Sequence, residues 1–272
     1  MEKKLYNKIY RFATRLSHTL KVRKIDIKGI QSPYVYNFVC NITKNLWPYY
    51  NFNIVESARI EILDDLSKIP DKIKMNEIFS DYLSDIKIGS RDEVIAGQTI
   101  FRIINYIQAK TILEIGTLFG IDTLYMAEAN LMADCTILAD NPQMAVFAKR
   151  TMDRCKMPKI KILAEDHVTD LLKTLKSLET VDFVLFNASA DFLQKLEDIT
   201  SCMSAVHPGT VFVIKYIHNS PEMERIWETV RNHPKVSASI EMFPIGILFF
   251  RQDLEKKNYL IRPKYKYYEH LH

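Results

Sequence analysis

Residues Thr111 to Ala129 read TILEIGTLFGIDTLYMAEA, an apolar run that passes through Glu-x-Gly-x-x-x-Gly into a helical pattern. Thr111 to Ile115 has the continuous apolar character of a parallel strand buried on both faces. Gly116 and Gly120 let the backbone come close to a ligand, and Ile121, Leu124, Tyr125 and Ala129 recur with helical period. A helix that begins at such a turn aims free backbone N–H groups at whatever lies in front of it. Dinucleotide folds use Gly-x-Gly-x-x-Gly here to admit a pyrophosphate. This chain instead has Glu114 two positions ahead of its first glycine and lacks the middle glycine. A carboxylate there repels phosphate and suits a cation. Read from these residues alone, the stretch is either a cofactor turn of that kind or a tight βα connection in some other α/β protein.

Outward from this turn, strand-like and helix-like runs alternate with the rhythm of a parallel sheet covered on both faces. Strands are predicted at 110–116, 134–139, 159–164, 181–187 and 209–216, with helices at 121–131, at 142–155 after Pro142, at 167–177 and at 190–206. A further helix runs from Pro221 to about Arg231, followed by strands over Val236 to Phe243 and Ile245 to Phe250. The connection between those two strands is a very short turn containing Pro244, so they must run antiparallel.

The acidic turn resembles the first motif of the class I S-adenosylmethionine-dependent methyltransferases, whose cofactor carries an amine and a sulfonium. The resemblance implies a Rossmann-like class I methyltransferase fold: α/β, a seven-stranded and mostly parallel sheet with an antiparallel last strand, plus a helical N-terminal extension. Four elements narrow it: Ser32-Pro33-Tyr34-Val35-Tyr36; the Glu114 to Gly120 turn; Ile217-His218-Asn219-Ser220 ahead of Glu222, Met223 and Trp227; and Gly246 to Arg251. Together they look like a branch of methyltransferase-like proteins common in Bacteroidetes-type bacteria. More distantly, Gly97-Gln98 precedes the turn much as a Gly-Gln pair does in catechol O-methyltransferase-like enzymes.

The 272 residues, 47% hydrophobic and of mixed charge, suffice for one domain with a substantial core plus an extension. The expected division is a helical extension or cap over 1–85 and a methyltransferase-like domain over 86–272. A net charge of +4 does not by itself argue for nucleic acid. Cys40, Cys135, Cys155 and Cys202 show no Cys-x-x-Cys spacing, which speaks against a disulfide framework or zinc site and for a reducing compartment. With no secretory signal and no apolar run of bilayer-spanning length, the expected location is the cytoplasm. Residues 1–28 are rich in Lys and Arg, with Leu5, Ile9, Phe12, Leu16 and Leu20 at helical spacing, and read as a basic amphipathic helix. That helix either packs with a solvated basic face or meets an anionic membrane surface or nucleic acid. Ser32 and Pro33 suit the cap and first residue of a next helix, and a charged helical stretch runs from Asn53 to about Leu83, broken by Pro70.

Carried over residue by residue, the resemblance implies that Glu114, Gly116, Thr117 and Gly120 contact the amino-acid part of S-adenosylmethionine. The family's ribose-binding acid aligns with Ala139. Asp140 lies one residue later, and serves the ribose if a bulge ends the strand or else is a surface or helix-cap residue. Glu165 and Asp166 stand where family members recognise the adenine, or they cap the helix that follows. Catechol O-methyltransferase-like enzymes hold magnesium with an Asp after the fourth strand and an Asp-Asn or similar pair after the fifth. Here those positions are Asn187 and Lys215-Tyr216, and the family's catalytic lysine aligns with Ala190. Exchanging carboxylates for an ammonium argues against a divalent metal, so Asn187 is grouped with the cofactor site and no metal ligand is assigned.

Two readings remain. In the first, the chain transfers a methyl group without metal to a small molecule, leaving S-adenosylhomocysteine. Lys215 or His218 then deprotonates or orients the nucleophile, or Lys215 takes over the electrostatic role of the ion. In the second, the fold is a binding or scaffold module in which Lys215 pairs with a carboxylate and His218 makes a structural hydrogen bond. Nucleic-acid modification ranks last, since no Asn-Pro-Pro-Tyr type motif is present. The expected partner is a small-molecule substrate, with a homodimer left open.

Overall fold

In the computed structural model, which describes residues 2–22, 27–43, 49–67, 90–117, 119–139, 141–157, 159–164, 167–187 and 192–261, the apolar runs form one eight-stranded sheet. The strands are β1 (Thr111–Ile115), β2 (Asp134–Leu138), β3 (Lys161–Leu163), β4 (Val181–Phe186), β5 (Val206–Lys215), β6 (Ala238–Met242), β7 (Ile245–Phe249) and β8 (Lys257–Leu260). Their order is β3-β2-β1-β4-β5-β7-β6-β8. β1 to β5 are parallel, and β7 inserts between β5 and β6 antiparallel to both. The expectation of seven strands ending in the antiparallel one is thereby corrected, because β8 follows β7 and pairs parallel with β6. β8 is four residues long, and none of them is fully buried. It therefore lacks both the apolar run and the alternation that mark a core strand.

β5 begins before its apolar run. Val206 pairs with Val181 and Val211 with Phe183, so the intervening residues bulge, and Pro208 sits where no ladder N–H is required.

The helices are α1 (Glu2–Val22), α2 (Pro33–Thr43), α3 (Tyr50–Ser67), α4 (Arg91–Ile107), α5 (Ile121–Ala129), α6 (Pro142–Arg154), α7 (His167–Leu178), α8 (Phe192–Cys202) and α9 (Pro221–Arg231). Local chemistry explains several starts. Ser90, Asn141 and Ser220 accept the N–H groups of Glu93, Met144 and Met223 to cap α4, α6 and α9, and prolines open α6 and α9. Ser32 does the same for α2, accepting from Val35 N–H at 3.4 Å. The predicted helical stretch beyond residue 67 lies outside the described residues.

Side chains alternate between the two faces of the sheet. On one face Ile112, Phe183, Leu185, Val211, Val213 and Phe249 share a core with Phe38 and Ile42 of α2 and Ile100 and Ile103 of α4. On the other, Leu113, Val184, Phe212 and Ile214 share one with Ile226 and Trp227 of α9. Extending the first parity by one step puts Glu114, Asn187 and Lys215 on the α4 face, at the C-terminal ends of the three neighbouring strands β1, β4 and β5. α4 and α5 approach closely beside them: a Cβ added at Gly97 would stand 2.2 Å from Tyr125 Cε2. That packing accounts for the glycine of the Gly97-Gln98 pair.

Candidate functional site

From β1 the chain moves outward to β2 and β3, then returns to β4 on the other side of β1. Connections leaving such neighbours part in opposite directions and open a crevice beyond the strand ends, where open α/β sheets bind ligands. Gly116 leaves β1 with φ 80°, and Gly120 precedes α5 with φ 75°. Both are left-handed values that cost an L side chain energy. The Gly116 N–H donates to Leu138 O at 2.8 Å, tying the turn to the end of β2. Phe119 also has a positive φ, 55°, and is held by Thr151 Oγ1, which donates to its carbonyl at 2.7 Å.

Glu114 is wholly buried. Thr123 Oγ1, in the first turn of α5, donates to one carboxyl oxygen at 2.5 Å and Asn187 Nδ2 to the other at 2.9 Å. Thr117, equally buried, has its hydroxyl 3.3 Å from that of Thr123. Burial and the charge of Asp122 push the Glu114 carboxyl up to about 8, against the hydroxyls of Thr123 and Thr117 and the charge of Lys215. At neutral pH the group is mostly protonated, and a cation beside it would draw the proton off. Asn187 Oδ1 is buried and accepts no hydrogen bond among the described residues.

Lys215 is 0% exposed, with Nζ 2.6 Å from Asp122 Oδ2 and 3.1 Å from Glu93 Oε2. Burial alone would lower its ammonium, but the two carboxylates outweigh that and raise it. Lys215 is thus a fixed cation and no proton acceptor at neutral pH. Tyr216, at φ 61°, donates its hydroxyl to the other oxygen of Glu93. Two further helices flank this cluster. Glu56 of α3 accepts from Tyr125 of α5 and from Arg59 Nε, the latter at 2.9 Å. Arg15 of α1 grips Asp92, the neighbour of Glu93, with two hydrogen bonds of 3.0 Å.

His218 belongs to a different network. Its Nε2 lies 3.1 Å from Glu241 Oε1, and Glu241 also accepts from Trp227 Nε1 at 3.0 Å and Arg231 Nη1 at 3.2 Å. Burial would raise the Glu241 carboxyl, yet the hydrogen bond and charge of His218, with the Trp227 hydrogen bond, bring it down to about 2.

The structure therefore gathers Glu114, Gly116, Thr117, Gly120, Asn187 and Lys215 at the C-terminal ends of β1, β4 and β5 and the start of α5. Asp140, Glu165 and Asp166 lie outside the described residues, while Ala139 is buried and donates its N–H to Leu163 O at 2.9 Å. Sequence reasoning missed Glu93 and Asp122, and it placed Tyr216 beside Lys215 without a role. Asp122 carried a signal, an acid in the first turn of the helix that opens the site. Glu93 carried none, standing 122 residues from the lysine it meets.

The donor set suits an amino-acid ammonium better than a divalent metal. It offers an amide oxygen with no donor among the described residues and a protonatable carboxyl, with a lysine ammonium where a metal site needs oxygen ligands. No group of three or more His, Cys, Asp or Glu among the described residues is arranged to hold a metal ion. Two cavities, of about 220 and 540 Å³, lie at the opposite end of the strands, around the starts of β5, β6 and β8, and neither is lined by a candidate residue.

No protein-family model and no curated protein matches the chain. Solved structures do. The cofactor-bound Rv0187 from MTB aligns with a TM-score of 0.55 at 16% identity, over 82% of this chain and 99% of its own. The O-methyltransferase from Bacillus cereus in complex with SAH aligns at 0.51 and 16% identity, over 79% of this chain and 97% of its own. TomG, a Streptomyces achromogenes O-methyltransferase involved in tomaymycin synthesis and crystallised with SAM, aligns at 0.52 and 15% identity, over 76% and 92%. At such identities the likeness shows the fold, which is the Rossmann-like fold of these methyltransferases.

Proposed function

We propose, with the class I methyltransferase fold as premise, that this chain binds S-adenosylmethionine in the crevice between β1 and β4. It transfers the methyl group, without a divalent metal, to a small-molecule acceptor. The observation that carries the reading is Asn187, whose buried Oδ1 lacks a donor among the described residues while its Nδ2 clamps Glu114. An amino-acid ammonium would supply that donor and favour the ionised form of Glu114. S-adenosylmethionine, when bound, supplies the electrophilic methyl group. The chain's own residues hold and orient: Gly116 and Gly120, both left-handed, shape the turn, and Glu114 and Asn187 receive the amino-acid end. Lys215, anchored by Glu93 and Asp122, ties the end of β5 to α4 and α5 beside the cofactor site. His218 supports the connection from β5 to α9 through Glu241.

The competing reading, a binding or scaffold module without turnover, draws support from the same lysine, because Lys215 is fully buried and its charge is already matched. Calorimetric titration with S-adenosylmethionine and S-adenosylhomocysteine, with and without magnesium, tests both. Expected is magnesium-independent binding that tightens from about pH 6 to about pH 8 as Glu114 gives up its proton, and that weakens at least about tenfold in Asn187→Ala. Failure of either compound to bind overturns the cofactor assignment. Binding without methyl transfer to a panel of hydroxylated acceptors moves the conclusion to the scaffold.

A further inference from the structure

Helix α1 is amphipathic in the opposite sense to a helix packed on a protein core. Its side toward the fold is polar: His18 is 6% exposed and contacts the rings of His218 and Phe243, while Arg11 and Arg15 reach Asp92. Its outer side presents Tyr6, Ile9, Phe12, Leu16 and Leu20, exposed by 53% to 72%. Steps of three and four residues set these five on one stripe. The helix sequence also holds six basic residues, Lys3, Lys4, Lys8, Arg11, Arg15 and Lys21, against the single acid Glu2. With Arg11 and Arg15 engaged by Asp92, the four lysines of the helix sequence remain as charge for a partner.

We propose that α1 is an anchor for an anionic membrane surface, lying in the headgroup plane with the stripe among the acyl chains and basic residues at the level of the phosphates. Charge selects this occupant. A second copy docked by a two-fold axis would set the same positive helix against itself. A nucleic acid would engage the basic residues and leave five large apolar side chains in water. An anionic bilayer satisfies both features at once. The helix lies on the surface and does not span, since no helix among the described residues is long and apolar enough to cross. Arg15 grips Asp92 beside Glu93, which holds Lys215, so the anchor carries the candidate crevice to the bilayer surface. The inference stands independently of methyl transfer.

The test is co-sedimentation of the full chain with vesicles of phosphatidylcholine alone and of phosphatidylcholine mixed with phosphatidylglycerol. Expected is binding to the mixed vesicles that weakens with salt, little binding to phosphatidylcholine, and a loss of at least about tenfold for each of Ile9→Asp, Phe12→Asp and Leu16→Asp. These side chains are exposed, so the melting temperature should stay unchanged in the triple variant. Absence of sedimentation with either vesicle overturns the proposal, as does mixed-vesicle binding that survives the triple substitution. A wild-type dimer that the triple variant splits assigns the stripe to a second copy, and binding of a polynucleotide in place of vesicles assigns the helix to nucleic acid; either result also overturns it.

Discussion

Two stretches of one sheet face bury different chemistry to the same depth. Ile112, Phe183, Leu185, Val211 and Val213 are 0% exposed hydrocarbon against α2 and α4. One step further along the same strands, Glu114, Asn187 and Lys215 are 0 to 1% exposed and carry charge or amide groups. In the first stretch burial stabilises, by about 1.5 to 3 kcal/mol for each large side chain. In the second it costs, because a buried ion pair seldom recovers the desolvation of its members. A fold has no packing reason to place a lysine where a methionine would fit. The strand ends are therefore where function is to be sought, and the hydrocarbon below is what holds them in register.

The sharpest break of this contrast is Lys215→Ala, which strands Glu93 and Asp122 without their cation. Urea denaturation should show a loss of about 3–5 kcal/mol. Combining Lys215→Met with Glu93→Gln and Asp122→Asn should recover most of it, and equal stability of the single and triple variants would erase the distinction drawn between the two stretches.

Next in size is Glu114→Gln. The folded state holds the Glu114 proton up to about pH 8, whereas the ordinary value is 4.5. Protein stability is thus fully supported by this group below about pH 4.5 and declines as pH rises through about 8. The neutral isostere should lack that decline and be more stable by roughly 3 kcal/mol at pH 7. A parallel stability profile for both proteins between about pH 4.5 and 8 would show that Glu114 is not held protonated.

The smallest effect belongs to Arg15→Ala. Its partner Asp92 is largely covered, but the Arg15 side chain is 51% exposed. Solvent screens such a pair, so thermal unfolding should show a loss below about 1 kcal/mol. A loss several times larger would make α1 part of the core.

Much of this arrangement could be read from the chain. The Glu114 to Gly120 turn, the β/α alternation and the short turn at Pro244 each act through neighbours in sequence, and their elements lie within a few residues of expectation. Asn187 and Lys215 were legible through the resemblance, which aligns them with the family's site positions after the fourth and fifth strands. The eighth strand escaped because a four-residue edge segment is recruited by β6, not by its own pattern. Glu93 reads as an ordinary acid in the first turn of a capped helix, and only the crossing of α4 over β5 makes it a partner of Lys215. The helical period of α1 was equally plain in sequence, but period says nothing about which side faces the fold.

The chain by itself thus determined the first seven strands, most of the helices and where the glycine turn falls. These follow from short-range sterics, capping and side-chain period. Tertiary structure alone decided that Glu93, Asp122 and Tyr216 converge on this site with Lys215, that β8 closes the sheet, and that α1 turns its apolar stripe outward. Each depends on residues far apart in sequence meeting in a low-dielectric interior or at a surface, where the energy of a charge or an apolar side chain is set by neighbours that no local window contains.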